Sequence, residues 1–230
     1  MGSTAGRSPT TPRCFIIRHG ETEWSLSGKH TGTTDLPLTQ NGEKRVRTTG
    51  RALVDGSGVN KNKNDSQDDA LVQHTDAKVT ICPDIAEWDY GDYEGITSAE
   101  IRQRRREQGL DEHWDIWREG CPNGESPSDI VARVDRVIAE IRSKYHAPVI
   151  GKPSSETHNK GDVLVVAHGH ILRAFAIRWI GKALTDTAFI MEPGGVGTLS
   201  YEHHNIHEPA ILLGGGFVVG DNDGSDTNKT

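Results

Sequence analysis

Two short apolar runs stop in nearly the same way, and this constrains the fold more than anything else in the chain. Cys14-Phe15-Ile16-Ile17 runs into Arg18-His19-Gly20, and Val163-Leu164-Val165-Val166-Ala167 runs into His168-Gly169-His170. A continuous apolar run of this length reads as a strand buried on both faces, the type found in parallel sheets covered by helices. Such strands deliver polar side chains at their C-terminal ends, where α/β folds bind ligands.

Helical patterns lie between and after the two runs. Residues 40–54 form a polar helix with Thr39 as its cap, and a second helix is expected near 98–109 with Ser98 as cap. Across 127–146, Ile130, Val134, Val137, Ile138 and Ile141 recur at helical spacing. A helix rich in Ile, Leu, Ala, Phe and Trp runs from His170 to Gly181. Lys78-Val79-Thr80-Ile81 is a short strand candidate, and strands recur near 197–202 and 210–213. Alternating strands and helices predict an α/β class fold, a three-layer α/β/α sandwich around a mainly parallel sheet.

The 230 residues fit one domain over 13–219, with an N-terminal arm over 1–12 and a polar tail over 220–230. Residues 55–77 are Gly, Asn, Lys, Asp, Ser and Gln almost throughout and read as a solvated loop. The formal charge of −7 argues against a nucleic-acid or anionic-membrane surface as the partner. Cys14, Cys82 and Cys121 show neither zinc spacing nor a disulfide framework, and the N-terminus carries no apolar signal region. A reducing, cytoplasmic setting is expected.

Histidine and arginine at a strand end have a direct chemical use. Neutral imidazole is a good nucleophile near pH 7, and guanidinium matches the geometry of phosphate oxygens. The expected partner is therefore a small phosphorylated molecule.

The segment Arg18-His19-Gly20-Glu21-Thr22-Glu23-Trp24-Ser25 resembles the signature of the histidine phosphatase superfamily, which includes the cofactor-dependent phosphoglycerate mutases. Thr31-Gly32, Asp35-Leu36-Pro37-Leu38-Thr39, Glu87 to Gly95, Gly124-Glu125-Ser126 and Ala167 to His170 continue the likeness. Segments 114–121 and 194–206 are similar to the fungal phosphatases of the sedoheptulose-1,7-bisphosphatase type. The resemblance implies a phosphoglycerate mutase-like fold and a phosphatase that needs no metal or cofactor. It further implies that His19 is a nucleophile becoming phosphohistidine, that Arg18 and His168 hold phosphoryl oxygens, and that Glu87 gives a proton to the leaving alcohol. Ser25, Thr31, Gly32, Tyr90, Gly169 and Arg173 would contact a sugar bisphosphate.

The chain departs from the family pattern at one place. A Ser-Pro-Arg-x-Arg-Ala segment, source of a further pocket arginine, has no counterpart in 56–77, so one strand-helix unit is expected to be missing there. Arg45, Arg47 and Arg51 lie nearby in sequence, on a helix face read as solvated. Two other readings stay open: a binding-only protein, and a phosphoglycerate mutase that returns the phosphoryl group. His203, His204 and His207 resemble a metal cluster, but adjacent residues of a strand point to opposite faces. Arg102 and Arg104 to Arg106 read as a solvated basic face, and Trp114 and Trp117 as core.

Overall fold

A computed structural model describes residues 9–55, 78–157 and 161–213. Strand β1 (Cys14–Arg18) is followed by helices α1 (Glu23–Ser27), α2 (Gln40–Asp55), α3 (Ser98–Glu107), α4 (Ile116–Glu119) and α5 (Pro127–Glu140). Strand β2 (Val163–Ala167), helix α6 (Gly169–Trp179) and strands β3 (Val196–Tyr201) and β4 (Pro209–Ile211) complete it.

The four strands form one sheet in the order β2-β1-β3-β4. β1 and β2 pair in parallel over their whole length, Cys14 opposite Val163 and Arg18 opposite Ala167, so both histidines emerge side by side at one edge. β3 runs antiparallel to both β1 and β4. The sheet is thus mixed, and the expectation of a mainly parallel sheet holds only for the β1–β2 pair. The reason is local: β3 and β4 are joined by a short turn, which permits only antiparallel pairing.

Helices α5 and α6 pack together against the sheet through Ile130, Val134, Ile138, Ile171, Leu172 and Phe175, all in the core. Removing these side chains from water contributes about 1.5–3 kcal/mol each. The outer strand β2 behaves differently. Val165 and Ala167 are buried on the α5–α6 side, but Leu164 and Val166 on the other face are 56% and 58% exposed. The expected loss of a strand-helix unit concerns residues 56–77, which lie outside the described residues.

Other expectations meet specific outcomes. Residues 78–81 form no strand: Val79 and Ile81 are 89% and 93% exposed, and a four-residue run without a partner cannot hold strand geometry. The cap of α3 is Thr97, one residue before Ser98, in a reciprocal capping box with Glu100. The helix expected over 127–146 is α-helical to Glu140 and then widens to a π-helix over Ile141–His146. That turn swings His146 fully into the core, where the Tyr201 hydroxyl lies 2.7 Å from its Nδ1. Residues 9–12, placed in the arm, are pinned: Thr10 N–H donates to Lys152 O, Gly151 N–H donates to Thr10 O, and Thr10 is 6% exposed.

Candidate active site

β1 delivers Arg18 and His19, and the chain then turns beneath α2. Gly20 lies so close to the Gly42 carbonyl that a β-carbon would clash with it. A second strap comes from residues 191–195. Gly194 N–H reaches the carbonyls of Arg18 and His19, Arg18 N–H donates to Gly195 O, and Arg18 Nη1 donates to Met191 O at 2.7 Å. Arg18 is thereby fixed, while its buried Nε has no partner among the described residues.

His19 Nδ1 lies 2.6 Å from the Gly20 carbonyl oxygen, which can only accept. The proton therefore sits on Nδ1, and Nε2 carries the free lone pair. Burial first, and then the neighbouring His168, lower the His19 pKa below 6.5, so the ring is neutral at neutral pH. His168 caps α6 and stands edge-on to His19 with ring centroids 4.7 Å apart. Burial and the Arg18 charge lower its pKa as well. Gly169 makes room for Arg18: a β-carbon there would lie 3.2 Å from the guanidinium carbon.

Glu87 enters from the loop after residue 83 and is 7% exposed. Its carboxyl accepts N–H bonds from Trp88 at 2.9 Å, His170 at 3.0 Å and Ile171 at 2.8 Å, the last two at the N-terminus of α6. Burial raises its pKa above 4.5, the three amide bonds pull it back, and the balance is upward. The loop is held by Arg133 of α5, a residue the sequence reading passed over. Arg133 donates to Asp84 O, Ala86 O and Glu87 O and makes a two-point ion pair with Glu125. Glu125 in turn accepts from Asp89 N–H. A helical arginine inside an apolar pattern, with Gly124-Glu125-Ser126 eight residues before it, was the signal available.

These groups meet in one cleft of about 400 Å³, lined among others by Arg18, His19, Ser25, Thr31, Glu87, Tyr90, His168 and Gly169. All four residues expected to be catalytic are in it, with four of the six expected substrate contacts. Two of the expected contacts lie elsewhere. Gly32 does not line the cleft, and its N–H is taken by the Glu94 carboxylate, which also accepts from Thr33 and Thr34. Glycine is needed there because a β-carbon would collide with the Trp88 carbonyl. Arg173 lies outside the cleft, with its guanidinium over the Trp117 ring at 4.9 Å. Ser25 borders the cleft but spends its hydroxyl on the capping box with Thr22 at the start of α1. Lys29, His30, Asp35 and His170 line the cleft without having been expected to.

The remaining candidates resolve simply. Arg105 and Arg106 pair with Glu119 and Glu112. Arg45, Arg47 and Arg51 are exposed, and none lines the His19 cleft. His203 and His204 sit in a turn with φ of 48° and 54°, not on a strand as assumed, and His203 pairs with Glu208. Among the described residues no three His, Cys, Asp or Glu side chains are placed to hold a metal ion. None of the described helices is long and apolar enough to cross a membrane. Trp114 and Trp117 pack against the core, Trp114 edge-on to His30 and Trp117 tilted against His170.

Known proteins resemble this chain in sequence and fold. The profile of the histidine phosphatase superfamily (branch 1) matches residues 14–61 and 68–209. Sedoheptulose 1,7-bisphosphatase of Saccharomyces cerevisiae is 37% identical over 90% of this chain and 94% of its own. That alignment runs to 261 positions, more than this whole chain, so the relative carries several tens of residues that the chain lacks. An acid phosphatase of Mycobacterium tuberculosis is 33% identical, covering 87% of this chain and 91% of its own. The solved structure of a Mycobacterium tuberculosis open reading frame product superposes with a TM-score of 0.66 at 30% identity, covering 88% and 96% of the two chains. The chain belongs to the histidine phosphatase superfamily, branch 1, and its likeness to the two phosphatases groups it with the phosphoric monoester hydrolases.

Proposed function

We propose that the protein hydrolyses a sugar bisphosphate of the sedoheptulose-1,7-bisphosphate kind through a phosphohistidine on His19. The observation that carries this is the fixed orientation of His19. Its Nδ1–H is committed to Gly20 O, and its Nε2 shares a cleft with Arg18, His168 and the buried Glu87. The likeness to the yeast sedoheptulose 1,7-bisphosphatase supports the substrate class.

In the first step the Nε2 lone pair attacks phosphorus, an N–P bond forms and the ester P–O bond breaks. The leaving alkoxide takes the proton of Glu87, whose burial favours the neutral acid. Arg18 and His168 neutralise the equatorial oxygens, and the unpaired Nε of Arg18 is one donor free for this work. In the second step a water attacks phosphorus and loses its proton to the Glu87 carboxylate. The N–P bond breaks, inorganic phosphate leaves, and His19 and Glu87 return to their starting states.

Inorganic phosphate release from sedoheptulose 1,7-bisphosphate and fructose 1,6-bisphosphate, with chelator present, tests this reading. Release should proceed in wild type and fall by roughly 10⁴-fold or more in His19→Ala. Folded wild-type protein that binds both esters and releases nothing would place it among binding-only proteins. Isomerised phosphoglycerate without free phosphate would make it a mutase.

A further inference from the structure

The cleft is larger than the floor on which Arg18, His19 and His168 meet, and a second wall carries polar groups that the reaction above does not use. His30 is the best placed of them. Its Nδ1 bonds to Ile96 O at 2.9 Å, its backbone N–H bonds to the same oxygen, and Gly95 N–H donates to His30 O. Tyr90 and Trp114 stand edge-on to its ring at 4.9 and 5.5 Å, and His170 stacks beside it at 6.3 Å. The ring cannot turn without breaking these contacts. Because Nδ1 must donate to a carbonyl, Nε2 is the atom left to interact, and no described residue bonds to it.

Lys29 precedes it and lines the same cleft. Its backbone is fixed by the bonds from Lys29 N–H to Trp24 O and by the bridge to Thr97. Its ammonium stands over the Trp24 ring at 5.5 Å, and no described carboxylate lies within ion-pair distance. A cation–π contact at a half-exposed site is weak, so the ammonium can swing to an anion on its four-carbon stem. Among the residues lining the cleft, Arg18 and Lys29 are the lysine and arginine cations, opposed by Glu87 and Asp35.

We infer that Lys29 and His30 form a second anion subsite of this cleft, which receives the phosphate of the substrate that is not transferred. This rests on the sugar-bisphosphate reading and names the residues that make the cleft prefer two phosphates to one. A proton shared between His30 Nε2 and a phosphate oxygen makes a charge-assisted bond. Lys29 supplies the fixed positive charge beside it. Neither residue touches the transferred phosphoryl group, so both set specificity rather than chemistry.

Titration calorimetry in the His19→Ala background separates this from turnover. The probes are sedoheptulose 1,7-bisphosphate and sedoheptulose 7-phosphate. The bisphosphate should bind more tightly, and His30→Phe or Lys29→Met should each reduce that preference by about 10- to 100-fold. His30→Gln and Lys29→Arg, which restore a polar atom or the charge, should recover most of it. In catalytically intact protein the same losses should appear mainly in KM rather than kcat for the bisphosphate. Equal binding of both probes by the parent, or variants that weaken both alike, would overturn the subsite. Retained preference with no phosphate release from wild type would sink the phosphatase reading alone.

Discussion

The two sides of the cleft are built on opposite principles. On the Glu87 side nearly every polar group is matched within the protein. Three amides meet the carboxyl, and Arg133 uses its guanidinium on three carbonyls and the Glu125 carboxylate. On the His19 side donors remain over: among the described residues, Arg18 Nε is buried without a partner and no carboxylate is ion-paired to Arg18, His19 or His168. A satisfied network holds a shape, whereas unmatched donors around a nucleophile are suited to a doubly charged phosphoryl group. The contrast separates a proton donor held by a satisfied network from a nucleophile ringed by free donors.

In the matched wall the largest test of this contrast is Glu87→Gln. It keeps the shape of the side chain but removes the transferable proton, and should lower kcat by about 10²–10⁴-fold while substrate affinity changes little. The pH profile sharpens it. His19 must be neutral, so activity falls as pH drops through a pKa held below 6.5. Glu87 must be protonated, so activity also falls as pH rises through a pKa held above 4.5. Glu87→Gln should abolish the alkaline limb and spare the acid limb. An unchanged alkaline limb would assign the proton to another group.

Arg133→Met should come next. It strands Glu125 and frees three carbonyls, a loss of about 3 kcal/mol in stability, with kcat lowered about 100-fold because Glu87 loses its anchor. Thermal melting and kinetics together check it. A destabilised variant of normal kcat would show that α6 alone suffices to hold Glu87. The smallest effect is expected from Gly169→Ala. Its β-carbon presses on a guanidinium already tied to Met191 O, so turnover should fall about 10-fold with little change in melting temperature. Unaltered turnover would show that Arg18 can yield, and that its fixed position matters less than its charge.

How much of this could be read in advance follows from the range of each interaction. Where a residue's task is set by its neighbours in sequence, the reading survives. β1 and β2 were legible from apolar runs of four and five residues, α5 from its spacing, and the clustering of Arg18, His19, Glu87 and His168 from motif likeness. Where the task is set by a partner far along the chain, it was missed. Nothing near Gly32 in sequence marks Glu94, 62 residues on, as the acceptor of its amide. Arg133 looked like one more helical charge until it was found beneath the Glu87 loop.

The sequence by itself determined that two strands end in histidine and glycine, and that Thr39 caps α2, because these depend on side-chain period and local hydrogen bonding. Only the tertiary structure decided that the two strands are parallel neighbours in register, with β3 antiparallel beside them. It also decided which wall of the cleft is internally matched and which presents free donors. Pairing, burial and hydrogen-bond satisfaction join residues scores of positions apart, as between Glu87 and Ile171. No local pattern encodes such partners, since each is chosen by competition among every group that the folded chain brings within reach.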